Sequence, residues 1–440
     1  MRIIGILLAG SAALLAPAAQ GQAAAAAPTA AHFNARATVE EFRRLIAQNY
    51  VLPEARAKIG AALTAGLNSG RYAVTDPELL VERVNADLRA AAHDRHLYMN
   101  YDPEQAAILA KAPADGSGDE NAPPPAEERA GAVRANHGIS DMRLLPGNVR
   151  YVNVSQFVWV GRESEQAIDD AMRFLKNGDA AIIDLRFNGG GDERAVRRMI
   201  SYFLAPETPL VTAYFGEEVE KRVADGELPG RMIGKPLYVL TSNGSASAAE
   251  EFAGHVAGYR LGQLIGDTTA GAGFHNNLYA LPGGFVGSVS FGRAVLASTG
   301  KDWERVGIAP TKKVDPAQAL EVAQIDALTR LGASAKGARA AAIKASLDLL
   351  NARLNPAAPG LPLASYAGTY GERIVGIRDG KLTYRRGAGM EQGLVPLGGN
   401  EFLFENNPST RVRFVLQGNR VGSMELLRPD GNRIAYDRTS

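Results

Sequence analysis

The stretch PLYVLTSNGSASAAEEFAGHVAGYRLGQLIGD, Pro236–Asp267, decides the fold of this chain. Leu237–Leu240 is an apolar run of strand length. Ala249, Phe252, Val256 and Tyr259 then recur at helical spacing, and QLIGD closes the stretch as a second apolar run. Strand, helix and strand in close succession form a βαβ unit, hence a largely parallel sheet. The helix starts near Ser247. There Ser247-Ala248-Ala249-Glu250 fits the S-x-x-E capping box, in which the serine only satisfies the helix N-terminus. The same serine stands beyond the carboxyl end of a parallel strand, where open α/β sheets bind ligands. It also faces free N–H groups and the positive end of the helix dipole. Cap and nucleophile both fit the residues, and no G-x-S-x-G elbow chooses between them. Ser242 and Ser245 read as turn residues.

The alternation of β runs and helices extends from about Met142 to Val314, through NVRYVNVSQF, ESEQAIDDAMRFLKNG, AAIIDLR and ERAVRRMISYFLA. In AAIIDLRFNGGGDE a buried strand, Ala180 to Leu185, runs into Asn188-Gly189-Gly190-Gly191, and a helix starts near Glu193. The glycines suit a tight strand-to-helix turn. A dinucleotide fingerprint is excluded, because Arg194 stands where the third glycine of G-x-G-x-x-G belongs. Beside the plain turn and a less fitting phosphate cradle, backbone N–H groups arranged as an oxyanion hole are a third reading.

Around this core the chain divides into regions. Residues 35–110 read as a helical domain, with Val39, Phe42, Leu45 and Ile46 on one stripe and Leu79, Val81, Val84 and Leu88 on another. Asp76 and Pro77 mark a helix start. Residues 111–129, rich in Pro, Ala and acidic groups, read as a linker or exposed loop. The α/β region spans 130–332, and an Ala/Lys-rich helical connector covers 333–358. Residues 360–440 are all β, with an Asp379-Gly380 hairpin signal, and suit a small antiparallel barrel or sandwich. Residues 1–24 have the layout of a secretory signal peptide: an early Arg, an apolar core too short to span a bilayer, then small residues. The chain has no Cys, so no lipoprotein anchor is expected. A periplasmic or secreted location without disulfides, and without stable membrane insertion, follows as the expectation. The formal net charge of +1 over 440 residues gives no reason to expect nucleic acid as a partner.

A catalytic serine needs a base. The six histidines are His32, His93, His96, His137, His255 and His275. His93 and His96 have an i,i+3 spacing that could bind metal, but no third ligand accompanies them. His255 lies on the helix after Ser247. His275 follows a glycine loop and suits a pocket. Ser298-x-x-Lys301 matches S-x-x-K, without the S-D-N and K-T-G partners of penicillin-recognising enzymes. Glu304 beside Trp303 reads as a solvated charge or as an acid held by the indole.

DLRFNGGG, LTSNGSASAAEEFA, GDTTAGAG and WERVGIAP, in this order, resemble the S41 peptidase family. That family includes the C-terminal processing proteases, the tricorn protease core and the interphotoreceptor retinoid-binding-protein-like peptidases. HGISDMRLLPGNVRYVNVSQF and DRHLYMNYDP resemble the last branch in particular. The resemblance implies an α/β, crotonase-like spiral catalytic core between an N-terminal helical domain and a small C-terminal β domain. It implies a serine-type peptidase, either an endopeptidase or a tail-trimming hydrolase, acting on peptide or protein substrates without metal or cofactor. Ser247 becomes the nucleophile, with the N–H groups of Ala248 and Gly190 as the oxyanion hole. Where the processing proteases carry their Lys, Ala272 stands, and no Lys occurs between Lys235 and Lys301. The tricorn-like His and Glu fall on His96 and Glu304, with His275 as the alternative base. The tricorn core has a Ser just before its His, where this chain has Arg95. The same fold also admits a non-catalytic protein that binds hydrophobic ligands or peptides, or a small-substrate esterase or amidase. The oligomeric state is not legible.

Overall fold

The computed structural model describes residues 33–111 and 124–439. The expected signal peptide and most of the expected linker lie outside the described residues. The end of that linker is helical, because a helix already starts at Ala126. The chain divides into two compact units. One runs to Met142 and adds Val152–Lys176 and Ile183–Lys313; the other comprises Arg143–Tyr151, Asn177–Ile182 and the chain from Val314 on.

The first unit opens with α1 (Ala35–Asn49), α2 (Pro53–Asn68) and α3 (Pro77–Ala92). Asn34 caps α1 through the Ala37 N–H, and Asp76 caps α3 through the N–H groups of Glu78 and Leu79. The buried side of α3 runs through Leu80, Val84 and Leu88; Leu79 and Val81 flank it rather than form it. These helices do not close a core alone. Phe42, Ile46, Leu80 and Val84 share one apolar cluster with Leu281, Phe285 and Val289 of an antiparallel sheet.

Next come β1 (Tyr98–Tyr101), α4 (Pro103–Leu109), α5 (Ala126–Arg134), β2 (Ile139–Leu145), β3 (Val149–Val154), α6 (Arg162–Lys176) and β4 (Ala180–Asp184). Then follow α7 (Glu193–Ser201), β5 (Pro209–Phe215), β6 (Glu218–Val223), β7 (Leu237–Thr241), α8 (Ala248–Gly258) and β8 (Gln263–Gly266). The hairpin β9 (Phe274–Leu281) and β10 (Phe285–Leu296) leads to β11 (Lys312–Lys313). Six strands form a sheet in the order β11-β8-β7-β4-β3-β2. β7 and β8 pair in parallel, Val239 opposite Leu264, joined by α8 as the βαβ pattern requires. Every residue of β4 and β7 is buried, which explains their unbroken apolar runs. A second sheet, β1-β10-β5-β6 with β9 also on β10, is antiparallel throughout. The βαβ reading of residues 142–314 leaves its two hairpins out. β10 explains why: Ser288 and Ser290 are fully buried in it, and Gly287 interrupts the apolar run. Glycine is required there, since a Cβ would lie 2.7 Å from the Phe42 ring.

The second unit contains α9 (Ala319–Gly332) and α10 (Gly337–Leu354). Eight antiparallel strands follow in sequential order: β12 (Gly368–Tyr370), β13 (Arg373–Arg378), β14 (Lys381–Arg386), β15 (Gln392–Gly398), β16 (Glu401–Phe404), β17 (Arg411–Gln417), β18 (Arg420–Leu427) and β19 (Arg433–Asp437). Tyr370 bridges Arg438, and the Thr439 N–H donates to the Thr369 carbonyl at 2.8 Å. The meander therefore closes on itself as a barrel, which removes both edge strands. Tyr366, Tyr370, Phe402 and Phe414 fill its interior, with the Tyr366 ring edge-on to Phe402 at 5.2 Å.

Candidate active site

The turn from β7 into α8 carries three serines, and two of them have structural work. Ser245 Oγ donates to the Leu185 carbonyl at 2.7 Å, and Ser242 Oγ donates to the Arg186 carbonyl. The Ala246 N–H donates to the Asn188 carbonyl at 3.0 Å. These bonds fasten the β7 turn to the segment that leaves β4, so both turns stand at the carboxyl ends of neighbouring strands. Ser247 is half-buried and sits at φ 54°, ψ −119°. A non-glycine residue in that region is strained, at a cost of about 1–3 kcal/mol. α8 begins at the next residue, as expected.

Glu250 holds this conformation. Its carboxylate is fully buried and accepts four bonds: from the N–H groups of Ser247 (3.0 Å), Gly271 (2.7 Å) and Ala272 (2.7 Å), and from Thr269 Oγ1 (2.6 Å). Burial raises its pKa, and the four donors oppose that rise. The carboxylate half of the capping box is thus present. The Glu250 N–H meanwhile donates to the Ser247 carbonyl at 2.8 Å. Ala272, standing where processing proteases carry Lys, contributes its backbone to the Glu250 cradle.

The glycine turn lies against the serine. A Cβ on Gly190, whose φ is 119°, would fall 2.8 Å from Ser247 Cβ and 3.3 Å from the Ala248 nitrogen. The expected oxyanion donor differs from expectation in one respect: the Gly190 N–H donates to Asn188 Oδ1 at 2.8 Å. Asn188 is itself fixed, fully buried, with Nδ2 donating to the Val154 carbonyl at 2.9 Å. Ala248 is the first residue of α8, so its N–H has no partner within the helix.

His96 stands just before β1. Its N–H donates to Asp94 Oδ1 at 2.7 Å, and its carbonyl accepts from Ser288 Oγ at 2.5 Å. Ser290 Oγ donates to Asp94 Oδ2 at 2.7 Å. Nδ1 of His96 is buried and has no hydrogen-bond partner among the described residues. Burial lowers the His96 pKa, and the Asp94 charge opposes this. Arg95, which occupies the place of the tricorn serine, reaches from Nη2 to Asn243 Oδ1 at 3.4 Å. That contact brings the His96 segment to the β7–α8 turn. No hydrogen bond joins Ser247 Oγ to His96 or His275 among the described residues.

Glu304 is buried, with Oε2 accepting from the Gly273 N–H at 2.7 Å and Oε1 unpartnered among the described residues. Burial, helped by the Asp94 charge, pushes its pKa up to about 7. Trp303 donates from Nε1 to the Ala272 carbonyl at 3.1 Å, so it braces the loop and not the carboxyl group. Arg305 donates from its N–H to the Gly271 carbonyl and from Nη2 to the Ala92 carbonyl, 2.8 Å each. One short segment thereby ties the loop behind Ser247 to the end of α3. Asp94, which sequence reasoning passed over, belongs to this group; its position two residues before His96 was the available signal.

The other histidines have different surroundings. His275 packs against Phe215 with ring centroids 5.4 Å apart, and burial with the Arg222 charge pushes its pKa down to about 4. His255 is fully buried, with Nε2 3.4 Å from Glu251 Oε1. His93 is the left-handed cap of α3 and is exposed. Among the described residues no group of three or more His, Cys, Asp or Glu could hold a metal ion. No described helix is long and apolar enough to cross a membrane.

Residues 148–314 match the sequence profile described as peptidase family S41, and residues 22–135 match that of the N-terminal domain of Peptidase_S41 in eukaryotic IRBP. The chain belongs to peptidase family S41. This S41 chain is 29% identical over 173 residues to a carboxyl-terminal-processing protease of Synechocystis sp., covering 39% of each protein. It is 30% identical over 151 residues to carboxyl-terminal-processing peptidase 1, chloroplastic, of Arabidopsis thaliana, covering 34% of this chain and 30% of that one. The match thus spans well under half the length of these relatives. The solved photosystem II D1 C-terminal processing protease is 16% identical, covers 64% of this chain and 92% of that one, and has a TM-score of 0.39.

Proposed function

We propose that this S41 chain is an exported serine peptidase, built on a crotonase-like core, that cleaves peptide bonds through an acyl-enzyme on Ser247. The backbone of Ser247 carries the reading. A capping serine normally has extended dihedrals. Ser247 instead holds φ 54°, ψ −119°, with Gly190 pressed against it and Glu250 gripping its N–H. Strain of this kind gathers where a side chain must be presented, as on a nucleophile elbow. Ser242 and Ser245 are committed to carbonyls, which leaves Ser247 as the serine available for chemistry.

In the proposed reaction His96 takes the Ser247 proton as the hydroxyl attacks a peptide carbonyl. The Ala248 N–H and the α8 dipole receive the oxyanion, joined by the Gly190 N–H once its bond to Asn188 opens. Loss of one such donor typically costs about 3 kcal/mol. His96 then protonates the leaving amine, water attacks the acyl-enzyme, and Glu304 orients the imidazole or a residue that links to it. His96 is favoured over His275 because Arg95, its chain neighbour, reaches Asn243 of the β7–α8 turn, whereas the His275 ring packs on Phe215. The relatives named carboxyl-terminal-processing proteases support a peptide or protein substrate. The leader layout of residues 1–24 supports export to the periplasm or beyond.

Turnover of casein or a mixed peptide library tests this. Ser247→Ala and His96→Ala are expected to lose cleavage by at least ~100-fold, while His275→Ala retains it. Loss with His275→Ala alone would overturn the choice of base. Binding of a hydrophobic fluorophore with no cleavage by the parent would favour the binding protein instead.

A further inference from the structure

We propose that Asp94 is the positioning residue for His96, fixing the histidine's backbone and placing a carboxylate near its ring. The inference rests on the peptidase reading and adds a residue to it. Asp94 is 2% exposed, and both its oxygens are engaged: Oδ1 by the His96 N–H at 2.7 Å and Oδ2 by Ser290 Oγ at 2.7 Å. Ser288 and Ser290 stand two residues apart on β10, so both point to one face of the strand. Ser288 takes the His96 carbonyl at 2.5 Å, and Asn276 Nδ2 steadies Ser288 at 2.7 Å. His96 is therefore held at its N–H by Asp94, two residues before it, and at its carbonyl by Ser288, while Ser290, 196 positions from Asp94, pins that carboxylate in place. A solvated loop histidine would need none of this.

The groups facing Asp94 are the Tyr50 hydroxyl at the end of α1, the His96 ring, Glu304, Arg305 and Ser290. Tyr50 stays protonated, because burial and the Asp94 charge push its pKa up. Glu304 shares its proton with solvent near pH 7. The Asp94 charge raises the pKa of His96 against the effect of burial, and His275 is a further titratable group near enough to interact with the His96 ring. Asp94 thus supplies negative charge that steadies an imidazolium at His96, and Glu304 is a neighbour whose charge varies with pH near 7.

The test compares Asp94→Asn with Glu304→Gln in the full chain. Asparagine retains an oxygen for the His96 N–H and removes the charge. Asp94→Asn is expected to lower kcat by on the order of 100-fold with KM little changed. It should also move the acid limb of kcat/KM to lower pH, by about half a unit or more, because the loss of a negative neighbour lowers the histidine pKa. The His96 imidazole, titrated by NMR, should move in the same direction; that readout needs no turnover. Ser290→Ala, which loosens Asp94 and keeps its charge, should lower kcat severalfold and leave the limb in place. It stands in if Asp94→Asn fails to fold. An unchanged His96 titration and unchanged kcat in Asp94→Asn, with Glu304→Gln abolishing both, would overturn the proposal. If Ser290→Ala is the variant that folds, an unchanged kcat overturns it. If the parent fails to cleave any substrate, the peptidase reading falls, and the imidazole titration still decides whether Asp94 charges His96.

Discussion

At Ser247 the backbone and the hydroxyl have separate tasks. Glu250 takes the backbone N–H, and with it the N–H groups of Gly271 and Ala272, so one carboxylate sets both the Ser247 backbone and the loop behind it. Glu250→Gln would turn an amide NH2 toward donors that need an acceptor. It is expected to cost about 1–3 kcal/mol in a urea melt and to lower kcat at least tenfold. Gly190→Ala places a methyl group 2.8 Å from Ser247 Cβ at a φ of 119°. Turnover should fall by more than tenfold, with a loss of stability of about 1–3 kcal/mol. Glu304 links the site to pH. Its pKa rises from 4.5 unfolded to about 7 folded. The folded state binds the extra proton between those values, so stability falls as pH rises through this window. Glu304→Gln removes that dependence. Above pH 7 it should be more stable than the parent by at most about 3 kcal/mol, with the difference vanishing below pH 4.5, as denaturant titrations across pH would report.

At the level of elements, legibility followed sequence distance. The β7–turn–α8 unit could be read because its signals are local: a buried apolar run, small turn residues, then helical spacing. The antiparallel hairpins could not, because β10 has serines where an alternating strand would carry apolar residues. Those serines are buried against Asp94 and the His96 carbonyl, partners 196 and 192 positions away. The same long-range pairing hid Asp94 from the sequence reading. Gly287 of β10 is explained only by the Phe42 ring of α1 lying across it. Gly287→Val should therefore destabilise the fold by about 1–3 kcal/mol through overpacking, measured by thermal or urea unfolding.

At the scale of the whole chain, the C-terminal strands behave as a unit with their own core. Their barrel closes through Tyr370, Arg438 and the Thr439 N–H, and Tyr366, Phe402 and Phe414 occupy its centre. Residues 360–440 expressed alone should give a cooperative thermal transition by circular dichroism, and removal of residues 433–440 should abolish it by reopening an edge. The all-β character of this region was plain from its alternation. The choice between barrel and sandwich was not, because closure depends on pairing between its first and last strands. The central claim concerns the first unit, where a strained serine at a helix N-terminus is read as a nucleophile. The direct measurement is labelling with a fluorophosphonate probe, followed by peptide mapping. The adduct is expected on Ser247 in the parent and absent from Ser247→Ala; equal labelling of both proteins, or an adduct mapped to another residue, would contradict it.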